Sequence, residues 1–319
     1  MPENGDDSPL AQPVTVPEVT RALQSCKTHS APGEDQINYA MLKHLPVKMY
    51  VIMAQLFSIC LLMGYFPLCW KTAIGVMIPK PNKDKHIVSN YRPISLLSTV
   101  GKLFEKILSI RMLAHFDEIG FFNQWQRAYL HKKEASEHLY RLGESIRIAK
   151  SRNWVTSVIS LDVEKAFDSV WHDGMRYKLS YLELPMKLVR LLSSYLMDRS
   201  IKVRIGGTIS NPVKLMAGTP QGSVSLLLFL IYVNDLPIHP ANNCDAAQFA
   251  DDLSLWAMAK KKELAYMRLQ KALADIELWC SIWRIKLNVA KTQLVTFGER
   301  KKKRKARAEA LWFTNRRAI

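Results

Sequence analysis

Along the 319 residues, apolar positions change period several times, and each change predicts an element. "TVPEVTRALQSCKTHSAPGEDQI" reads as a capped helix followed by a Pro-Gly turn. Residues 40–66 read as helical, and the run "VIMAQLFSICLLMGYF" within them predicts a buried helix; Gln55 and Ser58 make it too polar for a membrane span. "WKTAIGVMIPKPNKDK" starts as a strand and breaks at Pro79 and Pro81. "YRPISLLSTVGKLFEKILSIRMLAHF" passes from a loop into a helix with Leu103, Phe104, Ile107 and Met112 on one side. "NWVTSVISLDV" predicts a buried strand ending at Asp162, with a helix from about Lys165. "IKVRIGG" and "PVKLMAG" bracket a hairpin, and "LLLFLIYVNDL" is a buried helix. Two short strands meet around 248–257, with Asp251 and Asp252 at their junction. An amphipathic helix spans 263–283, with Leu269, Leu273, Ile276, Trp279 and Trp283 inward, and "IKLNVAKTQLVTFG" predicts a final strand pair. Helices mixed with a small antiparallel sheet place the chain in the α+β class.

Charge sharpens this picture. The formal balance is +17, which suggests a polyanionic partner, nucleic acid or an anionic membrane surface, against the plainer alternative of a basic protein with no such ligand. Five scattered cysteines without a CxxC pair argue against a zinc site and a disulfide framework, and point to a reducing, intracellular setting. The polar, acidic N-terminus is no signal peptide.

The acids are the candidate chemistry. Asp251 and Asp252 lie in an apolar frame, "QFADDLSLWA", and Asp162 ends another apolar β-type run. A lone Asp-Asp pair is ordinarily a turn, and a lone Asp after a strand is ordinarily a helix cap. Three carboxylates at strand ends of one sheet instead form a cluster that requires divalent cations, and oxygen ligands suit Mg²⁺. With the basic balance, this suggests phosphoryl transfer on nucleic acid.

With these acids in place, the chain resembles the reverse transcriptases of non-LTR (LINE-type) retrotransposons, in particular the jockey-like elements. "SLDVEKAFDSVWH" resembles the first catalytic motif of that family and "GTPQGSV…LLFLIYVNDL" the second. "FADD" resembles the catalytic hairpin, and "LNVAKTQLVTF" the motif after the palm helix. "SAPGEDQI", "WKTAIGVMIPKPNK" and "YRPISLLSTVGKLFEKIL" resemble the N-terminal extension and fingers. The resemblance implies right-hand polymerase fingers and palm, with an antiparallel palm sheet packed on helices and a thumb absent or rudimentary. Its divisions are a disordered segment 1–13, extension and fingers 14–150, palm 151–298 and a basic tail 299–319.

It also implies roles. Asp162, Asp251, Asp252 and the Val163 backbone carbonyl would hold two Mg²⁺ ions, Asp252 less directly. Lys291 would protonate the leaving pyrophosphate. Lys80 and Arg92 would meet the incoming triphosphate, Gln221 the nucleotide and template, and Phe167 would close off the sugar 2′ position. The implied partners are an RNA template, a DNA primer and deoxynucleoside triphosphates, with no membrane and with residence in nucleus or cytoplasm. Tyr91, Trp125 and Tyr129 are candidates for stacking on template, against the more ordinary role of core packing.

The resemblance breaks in places. "PQGSVSLLLF" is one residue short of the family's usual second motif, with a Leu where Pro is expected. "NQWQRAYLHKKEASEHLYRL" lacks the usual Gly-Phe-Arg run, and after "VTFG" the chain turns to "ERKKKRKARAEALWFTNRRAI". This reads as a degraded or truncated element copy, or as a partial gene model. The alternatives to an active polymerase are an impaired remnant that only binds nucleic acid, and a maturase-like RNA-binding protein.

Overall fold

The computed structural model describes residues 8–131, 133–220, 223–238 and 243–298. Gln221 and the basic tail 299–319 lie outside the described residues. So do residues 1–7 of the expected disordered segment, while Ser8–Gln12 form a turn and Leu10 is buried.

Contacts divide the chain into two compact units. One runs up to Phe122 and resumes over Phe167–Tyr232; the other comprises Asn123–Ala166 and the residues from Val233 on. The chain therefore passes between units at three places, after Phe122, Ala166 and Tyr232.

The first unit holds helices α1 (Val16–Gln24), α2 (Tyr39–Lys43), α3 (Val47–Met63), α4 (Thr99–Glu118), α6 (His172–Ser180), α7 (Met186–Leu196) and α8 (Ser223–Tyr232). Its strands are β1 (Thr72–Pro79), β2 (Tyr91–Leu96), β4 (Ser200–Ile205), β5 (Thr208–Ile209) and β6 (Val213–Lys214). Their order is β2-β1-β4-β5, with β6 also on β4. Thr15 caps α1 by accepting from the Glu18 amide, and Glu18 returns a bond to the Thr15 amide. Arg111 of α4 then grips Glu18 through Nε and Nη2 at 2.6 and 2.8 Å, and the Gln12 and Pro13 carbonyls as well. Phe57 stacks on Phe104 at 4.8 Å, and Phe66, Trp70 and Tyr195 complete that core.

Three expectations change here. "YRPISLL" is strand β2, not a loop; β2 is an edge strand, where Pro93 is tolerated despite its missing amide hydrogen. Helix α3 is buried only along Met53, Ala54, Phe57, Cys60 and Leu61, whereas Ile59, Leu62 and Met63 are 57%, 61% and 70% exposed. The helix from about Lys165 is likewise a 3₁₀ turn at Ala166–Ser169, and α6 starts at His172.

Helix α8 carries no charge of its own and is apolar apart from Ser223, Ser225 and the Tyr232 hydroxyl. Its ends are met by side chains from neighbours: Glu105 of α4 accepts from the Val224 amide, and the Lys178 ammonium of α6 donates to the Tyr232 carbonyl. An acid at the N-terminus and a cation at the C-terminus both suit the helix dipole.

The second unit is built on an antiparallel sheet of β3 (Val155–Leu161), β7 (Asp245–Phe249), β8 (Asp252–Ala259) and β9 (Gln293–Phe297), ordered β7-β8-β3-β9. Helices α5 (Ala135–Ser151) and α9 (Lys262–Ile282) pack on it. Leu269, Leu273, Ile276 and Trp279 of α9 are buried as the periodicity requires, and Trp283 is half-buried. The expected final strand pair is one strand, β9; Leu287 instead forms a single antiparallel bridge to Val163. All five cysteines are free thiols.

Candidate active site

In the second unit, strand register decides where the acids stand. Leu161 of β3 pairs with Leu253 of β8, so the next positions outward, Asp162 and Asp252, face each other across the sheet. Paired Cα atoms in such a ladder are about 5 Å apart. Phe249 of β7 pairs with Asp252, which leaves Ala250 and Asp251 as the turn of the hairpin. Ala250 takes the left-handed conformation with φ 54°. Its amide is held by the Gln126 side chain at 3.2 Å, and the same oxygen accepts from the Ala128 amide.

Asp162 is fixed from the other side. Its carbonyl accepts from the Asn288 amide at 2.8 Å, and the Glu164 amide donates to the Lys286 carbonyl. These bonds lie on one edge of the 162–164 segment, so the Val163 carbonyl points to the opposite edge. Asn288 also starts the turn that delivers Lys291, whose amide donates to Asn288 Oδ1. The Lys291 ammonium reaches Asp162 Oδ2 at 2.8 Å.

The electrostatics follow from this grouping. Burial pushes the Asp251 carboxyl above its ordinary range, and the charges of Asp252 and Asp162 add to the rise. Lys291 is raised by its hydrogen bond to Asp162 and so stays protonated. One ammonium thus faces three carboxylates, which leaves an excess of negative charge. As the side chains stand, no three His, Cys, Asp or Glu groups among the described residues are gathered to hold a metal ion. Asp162 gives one oxygen to Lys291 instead.

The other expected site residues belong to the first unit. Arg92 is exposed on β2, paired with Ile78 of β1. Lys80 follows β1, and its amide donates to the Asn90 carbonyl. Phe167 is half-buried with its ring 4.8 Å from Phe229, and its carbonyl accepts from the Thr219 amide. Gln126, Gln248 and Asn123 carry the hairpin from below and were not legible as site residues. A polar side chain in a loop gives no sign that tertiary contact will bury it; Gln126 is 1% exposed and Gln248 2%.

The reverse transcriptase (RNA-dependent DNA polymerase) family pattern matches residues 78–311, well over half of the chain. The chain belongs to the reverse transcriptase family. Among its relatives is the probable RNA-directed DNA polymerase from transposon BS of Drosophila melanogaster, 34% identical over 288 residues, 88% of this chain and 32% of that protein. The RNA-directed DNA polymerase from mobile element jockey of the same fly is 31% identical, over 90% of this chain and 32% of that protein. The chain thus spans about a third of the length of these relatives. Among solved structures, apo telomerase from Candida tropicalis, truncated from its C-terminal domain, shares the fold. Its TM-score is 0.51 at 11% identity, over 71% of this chain and 50% of that one. The non-LTR resemblance and the α+β class both hold. Among the described residues, no helix is long and apolar enough to cross a membrane.

Proposed function

We propose that this reverse transcriptase chain extends a DNA primer with deoxynucleotides on an RNA template, using two Mg²⁺ ions. The observation that carries the reading is the register that sets Asp162 opposite Asp252, with Asp251 in the adjoining turn. Asp162, Asp251, Asp252 and the Val163 carbonyl offer only oxygen donors, and their surplus negative charge suits hard divalent cations. Two such ions would supply activation of the primer hydroxyl and neutralisation of the leaving pyrophosphate.

The chain's own groups account for the remaining tasks. Lys291 holds a proton beside the acids and delivers it to the departing pyrophosphate. Lys80 and Arg92 neutralise the incoming triphosphate, Arg92 as a bidentate fork. Phe167, braced on Phe229, is a rigid wall against a ribose 2′-hydroxyl. Gln221 contacts the nucleotide and template.

Primer extension on an RNA template is the test, with Asp251→Asn as control. The parent chain extends the primer in Mg²⁺ and the variant loses about 100- to 1,000-fold, as removal of a central charge-stabilising group does. Equal extension by both would sink the proposal. Phe167→Val should raise ribonucleotide incorporation.

A further inference from the structure

Tyr129 is a large aromatic residue in the left-handed region, with φ 58°, and is 53% exposed. Bulky side chains are rarely held there, because Cβ crowds the backbone; where they persist, surrounding structure enforces it. Here the enforcement is visible. Residues 125–127 run along the free edge of β7: the Gln248 amide donates to the Trp125 carbonyl, and the Arg127 amide to the Gln248 carbonyl. Gln126 is anchored through its side chain to Ala250. The chain then turns at Tyr129 and sets its ring 6.3 Å from that of Phe249, tilted by 42°. Phe249 is itself 38% exposed, so the pair turns aromatic surface to solvent instead of filling a core.

The sheet face beside this pair suits a polymer strand. Alternation puts Phe249, Ala247, Ser254 and Ser160 on one face, the one that continues to Asp252 and Asp162. Ala247, Ser254 and Ser160 form a row of small side chains across β7, β8 and β3, with the two hydroxyls 3.1 Å apart. From β7 to β3 is roughly 10 Å, two inter-strand spacings. A shallow floor thus runs from an aromatic pair to Asp252 and Asp162.

We infer that Tyr129, with Phe249, is a nucleobase-stacking platform beside the acids. It takes the π-face of a base at the primer end or in the incoming nucleotide. The identification of the ligand rests on the polymerase reading above; the platform itself is measured by binding alone. A stacked base needs a flat ring and no hydroxyl, so Tyr129→Phe retains binding. Tyr129→Gly removes the ring and also relieves the left-handed strain, since glycine adopts positive φ freely.

The test uses the full chain in EDTA, so that it needs no catalysis. A primer–template with 2-aminopurine at the primer 3′ end reports stacking by quenching, a probe buried within the duplex serves as control, and free 2-aminopurine deoxynucleoside triphosphate distinguishes the second source. Quenching of the terminal probe, or of the free nucleotide, should be present in the parent and in Tyr129→Phe. It should be lost in Tyr129→Gly, with affinity falling about tenfold, as expected for one stacked base. Tyr129→Gly should melt no earlier than the parent. Quenching in neither arm by the parent, undiminished quenching in Tyr129→Gly, loss in Tyr129→Phe, or a marked drop in the melting point of Tyr129→Gly would each overturn the platform. Failure of primer extension with intact quenching would sink the polymerase reading alone.

Discussion

Individual side chains carry the sharpest consequences. Lys291 and any divalent cation compete for Asp162, because the ammonium lies 2.8 Å from its Oδ2 and opposes incoming positive charge. Lys291→Met should therefore tighten metal binding several-fold while slowing extension; calorimetric titration with Mn²⁺ and a primer-extension rate check the two halves. Weaker metal binding in the variant would mean that Lys291 organises the acids instead of guarding them. Glu105 gives a different signal. It is 1% exposed; burial, against the opposing charge of Arg199 and the Tyr195 hydrogen bond, pushes its carboxyl from 4.5 up to about 7. The folded protein therefore binds this proton more tightly than the unfolded chain does. The resulting stability is present below pH 4.5 and is lost as pH rises to about 7, a change on the order of 3 kcal/mol. Denaturant titrations should show that decline in the parent, and Glu105→Gln should lack that slope. Glu18 acts with opposite sign. Burial raises it, but the hydrogen bonds from Arg111 outweigh burial and bring it to about 2, so its contribution is lost as pH falls.

Elements show how close backbones are fixed. Between β6 and α8 the chain is zipped to the 167–172 segment: the Gly218 amide donates to the Val170 carbonyl at 2.8 Å, and the Thr219 amide to the Phe167 carbonyl. Gly218 has φ 90°, and a Cβ there would lie 2.9 Å from Asp168 backbone atoms. Neither strain nor clash can be relieved by a side-chain rotation. Gly218→Ala should cost about 2 kcal/mol or more in chemical denaturation; a loss under about 0.5 kcal/mol would show that the segment shifts freely.

For the molecule as a whole, charge dominates what can be anticipated. A balance of +17 implies that nucleic-acid binding releases many counterions. Affinity for a primer–template should fall linearly on a log–log plot against salt, by about 0.9 in slope per phosphate contacted in a duplex. Fluorescence anisotropy across a salt series measures this, and a flat response would point to a partner other than nucleic acid.

Local pattern alone determined a good deal of this protein. Strand β3, the acidic hairpin, helix α9 and the α+β class were all legible, because alternation and helical period are written in consecutive residues. Ordered motifs made the family legible as well. Pattern misread β2, since Pro93 marks a loop until the sheet order shows that its strand lies on an edge. It also took α3 as buried, because apolar content does not say how many sides of a helix will find a neighbour. Tertiary structure alone decided that Asp162 faces Asp252, which depends on a pairing between segments some 90 residues apart. It alone put Gln126 under the hairpin, Glu105 at the head of α8 and Tyr129 at the surface beside Phe249. Each of those placements arises from hydrogen bonds and packing between distant segments, and neither the composition nor the period of a single stretch encodes them.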